Sequence, residues 1–189
     1  MMRNRRISLG FDLRISLDLN NHMQISGDPN IWPRPPLVDD LIQNNAHALS
    51  NPLTLATHIE DLINTCRSNH ISIDQLSLIS LTCLEINTIA LREHYGFGWF
   101  EEQPSETALI NMGWRLMGFD ILDLRGLISG LSGCGKISEI PFFQNYLSKT
   151  INKFGLFKTY RSASEFSEVR GLQIYNHAPF IPIGILIKN

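Results

Sequence analysis

The chain has 189 residues, 43 % of them apolar, so it is long enough to bury a sizeable core and suits one domain spanning 1–189. Only 18 % are charged, against about 25 % in an average globular chain, and the net charge is −2, which argues against a nucleic-acid binder with a basic face. Three scattered cysteines with no C-x-x-C pair read as reduced thiols in a cytoplasmic protein, and neither a secretory leader nor a membrane span is expected.

From Ile7 to Leu19 the odd positions are apolar, while Ser8, Asp12, Arg14, Ser16 and Asp18 are polar. This period of two predicts a half-buried strand, with Gly10 marking a bulge or bend. A three-residue loop, Asn20–Asn21–His22, would pair Leu19 with Met23 and Leu17 with Ile25 on one face of a hairpin. The Pro- and Gly-rich Gly27–Pro36 reads as a connection, followed by a short helix over 37–48.

Helical spacing predicts a helix over 52–67, capped by Asn51 with Pro52 at its first turn. Residues 73–94 read as a central helix, apolar on most faces. A third helix is expected over 105–117 with Ser105 as cap, and a fourth over 141–154 ended by Gly155. A short helix over 163–170 would use Ser162 and Glu165 as a capping pair. The C-terminal "FIPIGILI" reads as a strand that Pro182 assigns to an edge or a bulge. The expected fold class is α+β, a mainly helical core with a small antiparallel sheet from the N-terminal hairpin and the C-terminal strand.

"GLSGCGK", Gly130 to Lys136, satisfies the spacing of a phosphate-binding loop. Ile137 stands where the magnesium-binding hydroxyl is required, and Pro141 starts the next helix too late, so a close-packed glycine turn is the better reading. His58-Ile59-Glu60 lacks the downstream P-C-x-x-C of zinc deaminases. The six histidines show no metal-ligand spacing, and no cofactor or metal is expected.

"EHYGFGWFEEQPSE", Glu93 to Glu106, crowds Tyr95, Phe97 and Trp99 beside Glu101 and Glu102. Aromatics supply contact area at low entropic cost and acids steer a basic partner. The competing reading is a corner whose aromatics plug the core. Tyr95, Phe97, Trp99, Glu101 and Glu102 are the candidate binding residues, with Asp39 and Asp40 as further acids.

"GWRLMGFDILDLRGLISGLSGCGK" at Gly113–Lys136, "KFGLF" at Lys153–Phe157 and "HAPFIPIGILI" at His177–Ile187 resemble bacterial immunity proteins of polymorphic-toxin and contact-dependent growth-inhibition systems. The resemblance covers about the C-terminal half and carries over no functional residue. It implies a non-enzymatic cytoplasmic inhibitor that binds a cognate toxin domain, frequently a nuclease, one to one, with no nucleic-acid or membrane partner. Two alternatives stand beside it. One is an oligomeric or adaptor protein using the edge strand at Phe180–Ile187. The other is a small enzyme assembled from Glu85, His94 and Cys134.

Overall fold

A computed structural model describes residues 5–16, 34–44, 53–96, 98–123, 129–131, 141–168 and 179–188, without the side chains of 141–143. The fold is α+β. Among the described residues run β1 (Arg6–Ile15), α1 (Pro36–Asn44), α2 (Ile59–Ser68), β2 (Leu76–Leu84), α3 (Thr88–Tyr95), α4 (Glu106–Asn111), β3 (Arg115–Asp123), α5 (Pro141–Thr150), α6 (Tyr160–Ser167) and β4 (Phe180–Lys188). The strands form one antiparallel sheet in the order β1-β2-β4-β3. No described helix is long and apolar enough to cross a membrane. The expected hairpin loop at Asn20–His22 lies outside the described residues, as do Cys134 and Lys136.

The chain divides into two compact units. Unit 1 comprises Met1–Leu17, Pro33–Arg115 and Leu186–Asn189, and unit 2 comprises Asp18–Trp32 and Leu116–Ile185.

In unit 1, β1 runs antiparallel to β2, with Leu13 opposite Leu78 and Phe11 opposite Ser80. The register shifts between Ser8 and Gly10, so the expected irregularity is a bulge. The strand is not half-buried, however. Its polar positions Ser8, Asp12 and Arg14 are as enclosed as Leu9 and Leu13. They tolerate burial because each has partners: Ser8 Oγ lies 2.9 Å from Ser80 Oγ, and Asp12 accepts from Arg14 Nε at 2.7 Å and Arg34 Nε at 2.8 Å. The outer edge of β1 is covered as well. Phe11 and Ala56 exchange two backbone hydrogen bonds of 2.8 Å, and Ser8 N–H donates to the Pro104 carbonyl at 2.9 Å.

The helix expected over 73–94 is a buried strand, β2, followed by a 3-10 turn over Glu85–Asn87 and then α3. A continuous apolar run fits a buried strand as well as a buried helix, and pairing with β1 decides it. Helix α2 starts later than expected: Ala56 instead forms a bridge with Phe11 of β1, and Leu55 and Ala56 are fully buried. Helix α4 does use Ser105 as its cap, Oγ accepting from Ala108 N–H at 3.2 Å, but ends at Asn111, and the following residues form β3. Leu13, Val38, Leu41, Ile42, Ala56, Leu62 and Cys66 form a core cluster of unit 1.

In unit 2, Phe119, Ile121, Leu147, Phe157, Ala163, Phe166 and Phe180 form the core, with Phe157 and Phe166 ring centroids 5.2 Å apart. Helix α5 ends before Asn152, whose Oδ1 accepts from the N–H groups of Phe154 and Leu156. Helix α6 is capped by Thr159, whose Oγ1 accepts from Ser162 N–H at 3.1 Å, rather than by the expected Ser162 and Glu165. Glu165 pairs with Arg161 instead. Strand β4 includes Pro182 yet lies between β2 and β3 in the sheet, not at an edge. Gly130, the first residue of "GLSGCGK", donates to the Ile121 carbonyl at 2.8 Å, and a Cβ there would stand 2.6 Å from Ile121 Cδ1. That close approach fits the glycine-turn reading at this position.

Candidate partner-binding surface

Helix α3 and the turn after it form one surface of unit 1. Thr88 Oγ1 donates to the Glu85 carbonyl at 2.6 Å, joining the 3-10 turn to the helix. Thr88 and Leu91 are buried. On the opposite side Ile86 and Ile89 are 49 % and 48 % exposed, and Glu85, Arg92 and Glu93 are exposed with them. Positions 89, 92 and 93 share a helix face by their spacing. Gly96 ends the helix in the left-handed conformation, its N–H donating to the Arg92 carbonyl at 2.7 Å.

The aromatics turn inward. Phe100 is buried, and the half-buried Trp99 donates its indole Nε1–H to the Leu9 carbonyl at 3.0 Å. Trp99 meets Phe100 and Tyr95 edge to face, with centroids 5.1 Å and 5.6 Å apart, and Tyr95 meets His94 at 4.6 Å. Such edge-to-face contacts hold the turn in one arrangement. Phe97 lies outside the described residues.

The acids turn outward. Glu101 and Glu102 are exposed, and Glu101 forms an ion pair with Arg92 of α3. Gly98 makes room for that pair, since a Cβ there would stand 2.7 Å from Glu101 Oε1 and 3.2 Å from Arg92 Nη2. Neither acid caps α4, which Ser105 does. Gln103 is buried, its Nε2 donating to the Thr57 carbonyl at 3.0 Å while Oε1 has no partner.

Asp39 and Asp40 lie on α1. Asp39 accepts from Arg34 Nη1 at 3.1 Å and Gln43 Nε2 at 2.8 Å, so its carboxylate serves the buried ionic network of β1, while Asp40 is exposed. The structure thus groups Tyr95, Trp99, Glu101 and Glu102 and gives Asp39 a separate task.

No family model, curated protein or solved structure matches this chain.

This surface carries the turn at 98–102, two exposed isoleucines and exposed carboxylates at Glu85, Glu93, Glu101 and Glu102. Glu85 and His94 are exposed, and the His94 and Tyr95 rings meet edge to face. Among the described residues no three His, Cys, Asp or Glu side chains converge to hold a metal ion. Burial pushes the thiols of Cys66 and Cys83 up from the ordinary cysteine range, which keeps them protonated and unreactive. His58 and Glu60 are exposed at the start of α2, the solvated reading of that pair. Ile86, Ile89 and Glu93 were hidden in the sequence because 73–94 reads as one buried helix. A helical period restricted to 85–96 would have exposed them.

Proposed function

We propose that the chain is an immunity protein that binds the toxin domain of a cognate bacterial effector, one to one and without catalysis, in the cytoplasm of the producing cell. The observation that carries this reading is the turn 98–102, whose aromatics are committed inward while Glu101 and Glu102 face solvent. A rigid acidic projection loses little entropy on binding and speeds encounter with a cationic partner. A nuclease toxin presents such a surface to the phosphates of its substrate, and the phrases at Gly113–Lys136, Lys153–Phe157 and His177–Ile187 resemble immunity proteins.

The test is to sequence the genes beside this one and, where an effector gene ending in a toxin domain adjoins it, to co-express that domain with the chain; the absence of any such gene would count against the reading. The wild-type chain should restore growth, and Glu101→Lys/Glu102→Lys should restore it poorly while melting within a few degrees of wild type. Full protection and an unchanged association rate in the double variant would remove this turn from the mechanism. Absence of protection by the wild-type chain would remove the immunity reading itself.

A further inference from the structure

We infer that the chain is a tandem duplication of one β-α-α-β unit, and that the same device in each copy closes an end strand of the sheet against strand addition by a partner. The first copy runs β1, α1, α2, β2 and lies in unit 1. The second runs β3, α5, α6, β4 and lies in unit 2 apart from Arg115 and the end of β4. The copies agree beyond their element order. Leu9–Leu13 reads LGFDL and Met117–Ile121 reads MGFDI. Gly10 and Gly118 have φ +139° and +147°, a conformation that residues bearing a Cβ rarely adopt. The next residue, Phe11 or Phe119, is buried and exchanges two backbone hydrogen bonds with a covering residue, Ala56 in the first copy and Phe157 in the second. The aspartate after it is fully buried in both, its Oδ1 accepting from the following N–H at 2.8 Å. Leu55 and Leu156, just before the covering residues, are fully buried. Just beyond them a helix begins after a cap residue in extended conformation, at Ile59 in one copy and Tyr160 in the other, the same distance from the covering residue in each. The fourth residue of that helix is fully buried in both, Leu62 and Ala163, and a nine-residue strand completes each copy.

Where the copies differ, they separate the needs of the unit from those of one copy. Arg14 in the first and Leu122 in the second occupy the same place and are both fully buried. Arg14 and Arg34 donate to Asp12, whereas Asp120 accepts from Ser129 Oγ at 2.9 Å. The carboxylate therefore belongs to the unit and the arginines to the first copy. β1 and β3 are the end strands of the sheet, and an open end strand offers unpaired backbone groups to another chain. Here the middle of each is already paired, at Phe11 and at Phe119. The Pro104 carbonyl extends the cover on β1 by accepting from Ser8 N–H, and Gly130 extends it on β3 by donating to the Ile121 carbonyl. Partners of this chain therefore engage side chains rather than lengthen its sheet.

The experiment is a library of single substitutions in the full chain, sorted by protease resistance, with amide exchange and light scattering on the wild-type chain. Alanine should be rejected at Gly10 and Gly118 alike, and leucine at Asp12 and Asp120 alike. The tolerance profiles of the two copies should agree best with Gly10 set on Gly118 and Ala56 on Phe157. A tolerated alanine at either glycine, or profiles that agree no better in this register than in others, would overturn the duplication. The amides of Phe11 and Phe119 should exchange about a hundredfold or more slowly than in an unstructured chain, at a rate independent of protein concentration. Fast exchange at either amide, or self-association that slows exchange along β1 or β3, would overturn the closure of the end strands.

Discussion

The most heavily constrained residues are the charges buried on β1. Asp12 and Arg14 are fully enclosed and the Arg34 side chain is 4 % exposed. Burial works against the Arg34 charge, but Asp12 and then Asp39 outweigh it and hold the guanidinium firmly protonated. Its Nη2 also donates to the carbonyl and hydroxyl of Thr54, a β-branched residue at φ +55°. That conformation is costly for threonine and persists because its surroundings fix it. Arg34→Met should therefore cost about 3 kcal/mol or more, as expected when a buried ion pair loses one partner, and chemical denaturation would show it as a lower midpoint. An unchanged midpoint would mean that Arg14 alone satisfies Asp12. The Arg161–Glu165 pair on α6 lies at the other extreme, with side chains 88 % and 50 % exposed. The Arg161 hydrogen bond holds the Glu165 carboxyl below its ordinary range, against an opposing desolvation and with help from Tyr146. A depressed carboxylate stabilises the fold above its unfolded pKa, and that contribution is lost as pH falls through the folded value. Arg161→Ala should move the Glu165 titration upward in an NMR pH series, with little change in melting temperature. An unmoved midpoint would contradict the cause assigned to it.

At the scale of elements, what was legible depended on how local the signal was. The alternation at Ile7–Ile15 located β1, and Ser105 located the start of α4, because each signal is complete within a few residues. The polar side of β1 was misjudged because its partners, Arg34 and Ser80, are remote in sequence. β2 was read as helix because nothing inside "LSLISLTCL" separates a buried strand from a buried helix. The pairing that decides it lies on β1. The same misreading hid Ile86 and Ile89, whereas the aromatic-acidic turn stood out on composition alone. β3 carries the sharpest test of an element. Gly118 has φ +147°, and a Cβ there would stand 2.8 Å from the Phe157 carbonyl oxygen and 2.9 Å from Asn152 Nδ2. Phe119 and Phe157 exchange backbone hydrogen bonds of 2.9 and 2.8 Å beside it, and Asn152 Nδ2 donates to the Met117 carbonyl. Backbone cannot yield as a flexible side chain can. Gly118→Ala should cost about 1–3 kcal/mol from crowding, with backbone strain in addition. At Gly98 a Cβ meets only the far ends of Glu101 and Arg92, so Gly98→Ala should displace that ion pair with little loss of stability. Parallel thermal melts would separate the two, and equal losses would refute the distinction.

At the scale of the whole chain, the two units are interleaved in sequence. Unit 1 contains the last residues of β4, from Leu186 to Lys188, although the rest of that strand belongs to unit 2. Leu186 and Ile187 are buried, and Lys188 Nζ lies 5.9 Å from the centroid of Trp114, a unit 1 residue that also meets Phe11 at 5.7 Å. Unit 1 therefore combines β1 with the end of β4, segments far apart in sequence. Burying one such aliphatic side chain contributes about 1.5–3 kcal/mol. Losing two is a large share of the roughly 5–15 kcal/mol that separates folded from unfolded domains. Removal of residues 186–189 should lower the melting temperature sharply and perturb the Trp114 environment, visible in tryptophan fluorescence. Cys66 and Cys83 supply an independent reading of unit 1. Both thiols are fully enclosed, and burial raises both pKa values, so in the intact chain they should resist iodoacetamide at neutral pH. In the shortened chain they should be alkylated as unit 1 opens, with labelling located by peptide mass. A shortened chain that kept both cysteines protected and melted like the full chain would show that unit 1 holds together without these C-terminal residues.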